Sequence, residues 1–391
     1  MRMKFFGLAG LVALLVASIS CSNNNSNTTN PPPSGTAYLY LTTQADNKIT
    51  PYVVDLSTGK PDTNGNALDT GSRPSAILLD PSGKDVFVLN SDSGDISAYT
   101  INADGTLKSA GAPVSTGWTD PVSMTMDAGG KFIFVANRGV FNSVPSKISV
   151  FAVSGSGLTP VAGSPFATAI NPAAPPPLNT FSEMVAVAVT PDGGYLYAAH
   201  KNDNVVTIYS VDASGVPTPI LSAEPVGVAP AGVTVSPDGN FLYVANSGTS
   251  SNISGFRICD NVSSTCTVPD GSLTAMGTSP FAAGLGPIYM ATDPSTKFLY
   301  AVDQQSNQIS SYTISPVSGE LVGASTPTFS TPANPSWIAV SPDGNYVYVA
   351  NQGASSMSPL KINTSTGVLG NVEAAIHTGG QPSAIVLKLK Q

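Results

Sequence analysis

One pattern recurs along the chain and leaves few folds open to it. Residues 336–351 read SWIAVSPDGNYVYVAN. The pattern returns as AGVTVSPDGNFLYVAN at 231–246, VAVAVTPDGGYLYAAH at 185–200, SAILLDPSGKDVFVLN at 75–90, VSMTMDAGGKFIFVAN at 122–137 and IYMATDPSTKFLYAVD at 288–303. A seventh copy begins as SAIVLKLK at 383–390, where the chain ends. The residues that open the copies are Pro74, Pro121, Met184, Pro230, Pro287, Pro335 and Pro382, spaced by 47, 63, 46, 57, 48 and 47 residues. A supersecondary unit of this length that cannot bury its own apolar face must stack on its neighbours. A four-stranded propeller blade has this period.

Each copy reads as strand, tight turn, strand. Val, Ile, Tyr and Phe supply pleated, buried surfaces. In Ser-Pro-Asp-Gly, Pro presets the first corner, Asp tolerates the next and Gly takes the left-handed position. A third strand follows, as at Asp95–Ile101 or Val205–Val211, and a weaker fourth, as at Leu107–Ser109. Small residues such as Ala76, Ser123, Ala186, Gly232 and Ala384 alternate with large ones such as Ile77, Met124 and Val187. Large side chains on one blade can then fill the space beside small ones on the next. Trp337 and Tyr289 break the small series, as packing residues or as a surface for ligand stacking.

The two ends complement each other. Residues 37–42, AYLYLT, read as a second strand without a first, and 49–55, ITPYVVD, as a third. The C-terminal SAIVLKLK is a first strand without a second. Joined, they make one blade from both termini and leave no open sheet edge. The predicted fold is all-β: a seven-bladed propeller of four-stranded antiparallel blades over 37–391, one blade closed by both ends.

The N-terminus predicts export. Arg2 and Lys4 precede an apolar stretch too short to span a bilayer, then small residues and Cys21. This resembles a bacterial lipoprotein signal over residues 1–20, with Cys21 taking the lipid. Residues 21–36 then form a Ser/Asn/Pro tether with no apolar periodicity. The protein is expected in the bacterial cell envelope, attached to the membrane by that lipid alone. Without residues 1–20 the chain carries 14 basic and 24 acidic residues, a net charge of −10, which disfavours nucleic acid as a partner. Cys259 and Cys266 flank a short loop and read as a local disulfide in an oxidising compartment. A monomer is expected.

The repeats SPDGNFLYVAN and SPDGNYVYVAN resemble the YVTN-type repeats of the lactonase-like seven-bladed propellers, the family of 6-phosphogluconolactonases. The resemblance covers nearly all of 35–390 and implies that fold. Lactone-opening members usually carry a His-Pro-His, a Gly-Pro-Arg-His and a blade-initial Glu. Here no His-Pro-His occurs, and the Gly-Pro-Arg-His position reads Gly286-Pro287-Ile288-Tyr289 or Asn334-Pro335-Ser336-Trp337. Glu183 begins a blade and Arg73 stands in Ser72-Arg73-Pro74, but the family histidine has no counterpart. A phosphorylated substrate is also disfavoured, since the chain has only four arginines.

Propeller topology still brings loops together. The residues before each first strand and after each second strand share one face around the channel. Catalytic candidates there are Glu183, Arg73 and His200. Binding-face candidates are Asp120, Arg138, Lys201, Asp303, Trp337 and Gln381. His200 stands where other repeats have Asn90, Asn137, Asn246 and Asn351, which favours a turn-stabilising role. The long connection at 167–182 falls on the same face and reads as a lid or as decoration. No Gly-Lys-Ser/Thr loop, His-Glu-x-x-His, Cys-x-x-Cys-His or His/Cys cluster is present, so neither metal nor cofactor is expected. Gly-x-Ser-x-Gly occurs only in part, at 155–157. Two functions follow: a non-catalytic module that binds an envelope protein or glycan, and a lactone hydrolase whose site has been rebuilt around a small lactone.

Overall fold

The computed structural model describes residues 35–390 except 141–142, 169–181, 221–222 and 260–269. The expected signal peptide, Cys21 and nearly all of the tether lie outside these residues. So do Cys266 and most of the long connection.

The described residues form seven antiparallel sheets and no helix. Blades 1 to 6 cover residues 74–115, 121–167, 184–225, 230–282, 287–330 and 335–377. Blade 7 joins Pro382–Leu389 to Thr36–Thr43, Lys48–Asp55, Lys60–Thr63 and Leu68–Asp69. Leu39 pairs with Leu387 and Leu41 with Ile385, so the last strand of the chain is the innermost strand of the blade that opens it. The closure expected from the two ends is present.

Each blade runs outward from first to fourth strand. The outer edge differs from the simple four-stranded expectation. In blade 1, Leu107–Ser109 pairs with the end of the third strand and Val114–Ser115 with its start. Six blades divide their outer edge this way, whereas blade 5 carries the unbroken strand Leu321–Ser330. Divided edges offer a poor template for a further strand.

The turn between first and second strands works by one device in two chemistries. In Asp80-Pro-Ser-Gly the carboxylate accepts the N–H groups of Lys84 and Asp85, both at 2.7 Å. In Ser236-Pro-Asp-Gly the serine hydroxyl accepts Phe241 N–H at 3.0 Å. The repeat therefore alternates Asp, Ser and Thr at that corner without changing the turn. Gly83 and Gly239 follow at φ 66° and 77°, where a Cβ is unfavourable.

Seven clusters of buried apolar side chains fill the seams, one between each pair of neighbouring blades. Tyrosines staple five of those seams. Tyr40, Tyr197, Tyr243, Tyr300 and Tyr348 each donate their hydroxyl to a glycine carbonyl of the next blade, at Gly105, Gly271, Gly319, Gly367 and Gly59. Phe87 and Phe134 occupy the same position in blades 1 and 2 and make no such bond. Each net hydrogen bond is worth about 1 kcal/mol, so burial of the seams remains the larger contribution.

Candidate functional site

The innermost strands surround a central channel of about 630 Å³. A repeated irregularity shapes its wall. The residue before each first strand takes a left-handed conformation in six blades: Arg73, Asp120, Ala229, Gly286, Asn334 and Gln381, with φ between 52° and 65°. Glu183 is the exception. One residue further on, the register slips by a bulge, at Pro74/Ala76 and its equivalents in blades 2 to 6. Bulges re-aim side chains. The residues at that position, Ser75, Val122, Val185, Ala231, Ile288, Ser336 and Ser383, all line the channel.

A second ring stands one residue beyond each second strand. Gln44, Lys201, Gln304 and Gln352 from this ring reach the channel. Gln352 Nε2 donates to Gln44 Oε1 at 2.8 Å, and Asn334 Nδ2 donates to Gln352 Oε1 at 3.2 Å. Deeper in, Tyr289 and Trp337 stack at 3.9 Å with 23° between their planes. The Trp337 indole N–H donates to Ile385 O at 2.9 Å. Burial pushes the Tyr289 phenol pKa up.

The sequence-derived candidates scatter. His200 is wholly buried, and its Nε2 lies 3.0 Å from Thr207 Oγ1. Asn90 bonds to Ser97, Asn137 to Ser149, Asn246 to Ser254 and Asn351 to Ser358 in the same way, at 2.9–3.0 Å. His200 thus ties the second strand to the third, and burial lowers its pKa to about 4. Asp303 occupies this position in blade 5, wholly buried, with Ser310 Oγ donating at 2.6 Å. Burial raises its carboxyl to about 6 against the opposing hydrogen bonds. Both residues therefore leave the ligand-facing surface, because the second strand buries its last side chain. These asparagines bond across strands as well as to nearby backbone, which extends the turn role expected of them.

Arg73 is exposed and pairs with Asp92 of its own blade at 3.2 Å. Arg138 grips Asp120 with two bonds, 2.8 and 3.3 Å. Glu183 is half-buried, stands two blades from Arg73 and forms no ion pair among the described residues. Gln381 is exposed on the rim, its carbonyl accepting Gln44 N–H at 2.9 Å. Of the candidates, only Lys201 and Trp337 line the channel. Among the described lining residues none is Asp, Glu or His. The sequence reading missed the bulged ring, although its members follow the blade-opening residue at one fixed repeat position.

The family model of the lactonase, seven-bladed β-propeller matches residues 33–125, 166–264, 227–326 and 260–390. The chain belongs to this lactonase propeller family. No curated protein sequence matches it. Solved structures similar to this lactonase propeller include a proposed 6-phosphogluconolactonase of Bacteroides uniformis. That likeness has a TM-score of 0.74 at 20% identity and covers 91% of this chain and 100% of the other. The periplasmic gluconolactonase of Pseudomonas aeruginosa is similar at 21% identity and a TM-score of 0.74, over 90% of this chain and 99% of the other. At such identities the likeness speaks for the fold, and the site must be argued from its own residues.

Proposed function

We propose that this lactonase propeller is an exported, lipid-anchored binding module of the cell envelope. Its channel takes an uncharged, hydroxyl-bearing ligand such as a glycan and does not turn it over. The observation that carries this reading is the wall chemistry. Hydrolysis of a lactone needs a base within reach of water and a preorganised charge for the developing oxyanion. The described lining offers Ser, Thr, Gln, Tyr and Trp, with Lys201 as its one charged residue. Such groups suit the hydroxyls and apolar faces of sugars. Lipidation at Cys21 and a Cys259–Cys266 bridge belong to the same reading, as fits an envelope location. The periplasmic neighbour from Pseudomonas is consistent with it.

The family and that gluconolactonase neighbour favour lactone hydrolysis as the second reading. Offering the protein a panel of unphosphorylated sugar and aliphatic lactones separates the two. No turnover, together with saturable binding of a neutral saccharide, is expected. Turnover lost on Glu183→Gln or Lys201→Met would overturn the binding role.

A further inference from the structure

The bulged residues are sorted around the ring. Val122, Val185, Ala231 and Ile288, on blades 2 to 5, make one unbroken apolar arc of the channel wall. Ser336, Ser383 and Ser75, on blades 6, 7 and 1, make an unbroken hydroxyl arc. Innermost strands of successive blades are neighbours, so each arc is continuous in space.

The rim repeats the division in part, since Gln304 above blade 5 also reaches the channel. Val228 and Leu285 stand at equivalent places above blades 4 and 5 and are 47% and 59% exposed. A single exposed Leu needs no explanation. Two on adjacent blades, each three residues before Ala231 and Ile288 of the apolar arc, add exposed apolar surface on that side of the rim. Above blades 6 and 7 the rim is instead the Gln352–Gln44 amide pair. Lys201 is exposed at the mouth, outside the bulged ring. A cavity of about 630 Å³ is of the size that encloses a small organic ligand.

We infer that the channel ligand is an amphiphile, with a hydroxylated head against blades 6, 7 and 1 and an aliphatic portion along blades 2 to 5. This rests on the proposed binding role and narrows it. Ser336 Oγ donates to Pro382 O at 3.1 Å and keeps lone pairs for a hydroxylated head, whereas the buried Ser383 hydroxyl lies 2.8 Å from Thr42 Oγ1. The four bulged side chains of blades 2 to 5 offer no partner to a sugar, though Thr125, Thr234 and Gln304 line the same side, and they gain by excluding water from an alkyl chain.

The test uses the full chain carrying Cys21→Ala, so that no detergent competes. Octyl β-D-glucoside, below its micelle-forming concentration, and methyl β-D-glucoside are titrated calorimetrically. A fully buried methylene is worth about a fourfold gain in affinity. Even partial burial of the chain should make octyl binding at least about tenfold tighter than methyl binding. Ile288→Thr, which keeps a β-branched side chain, should cost the octyl ligand about fivefold and leave the methyl ligand unchanged. Ser336→Ala should weaken both. Equal affinities, no binding of either glycoside, or an octyl-to-methyl ratio untouched by Ile288→Thr at unchanged melting temperature would overturn the inference. Lactone turnover would sink the binding role alone, since the alkyl preference is read from that ratio.

Discussion

Trp337, on blade 6, donates its indole N–H at 2.9 Å to the carbonyl oxygen of Ile385, in the strand that closes the ring. The same ring stacks on Tyr289 of blade 5 and packs against the apolar clusters of three seams. One side chain in the channel therefore links the blade made by both termini to its neighbours. Of packing and ligand stacking, the geometry directly shows packing.

Trp337→Ala should destabilise the protein by about 2–4 kcal/mol, below the range for a fully buried aromatic because Trp337 is only half-buried. Trp337→Phe keeps a stacking ring and should cost about 1 kcal/mol, chiefly the lost hydrogen bond. Urea unfolding measures both. An unchanged midpoint for Trp337→Ala would remove it from the scaffold.

Removing residues 382–391 takes the innermost strand from blade 7 and exposes the inner edge of Thr36–Thr43 along its whole length. It also takes Ile385 and Leu387 from the seam with blade 6. A closed ring shares such a loss among all seams, so the whole protein should melt earlier in one transition. Two separate transitions, or a melt like the parent's, would contradict closure as a source of global stability.

Lipid anchoring at Cys21 is tested by fractionation. Cys21→Ala should move the protein from membrane to soluble fraction, because it removes the thiol proposed to carry the lipid. A variant that stays with the membrane would refute the anchor.

Blade number, ring closure and strand order were legible because they follow from a repeat, and a repeat records nearest-neighbour packing. The outer strand's division in two was not legible: segments such as Val114–Ser115 have two residues and no pattern of their own. The site was legible only in part. Topology named the right face, but Arg73, Glu183 and His200 were chosen for their chemistry. Side-chain direction decides which residues meet, and His200 ends a strand that buries every one of its residues but the first. The channel wall instead comes from bulged positions such as Ser336 and Ile288, whose residue types carry no chemical motif.

His200 and Asp303 take the place of Asn in the repeat, and burial drives them in opposite directions. His200 falls from 6.5 to about 4, so the native state stays neutral while the unfolded chain takes up a proton. That costs stability as pH falls from about 6.5 to 4. Asp303 rises from 3.8 to about 6, so the native state holds a proton that the unfolded chain has released. That costs stability as pH rises from about 4 to 6. The slopes oppose over the same window, and the parent's stability should vary little between pH 4 and 6 on account of these two groups. Each contribution is about 3 kcal/mol at most. His200→Asn should expose the Asp303 slope, with stability falling as pH rises through the window. Asp303→Asn should expose the His200 slope, with stability rising instead, and should leave the protein more stable than the parent at pH 7. Urea midpoints measured from pH 4 to 7 distinguish the three proteins. Parallel profiles would show that neither group titrates out of step with the unfolded chain.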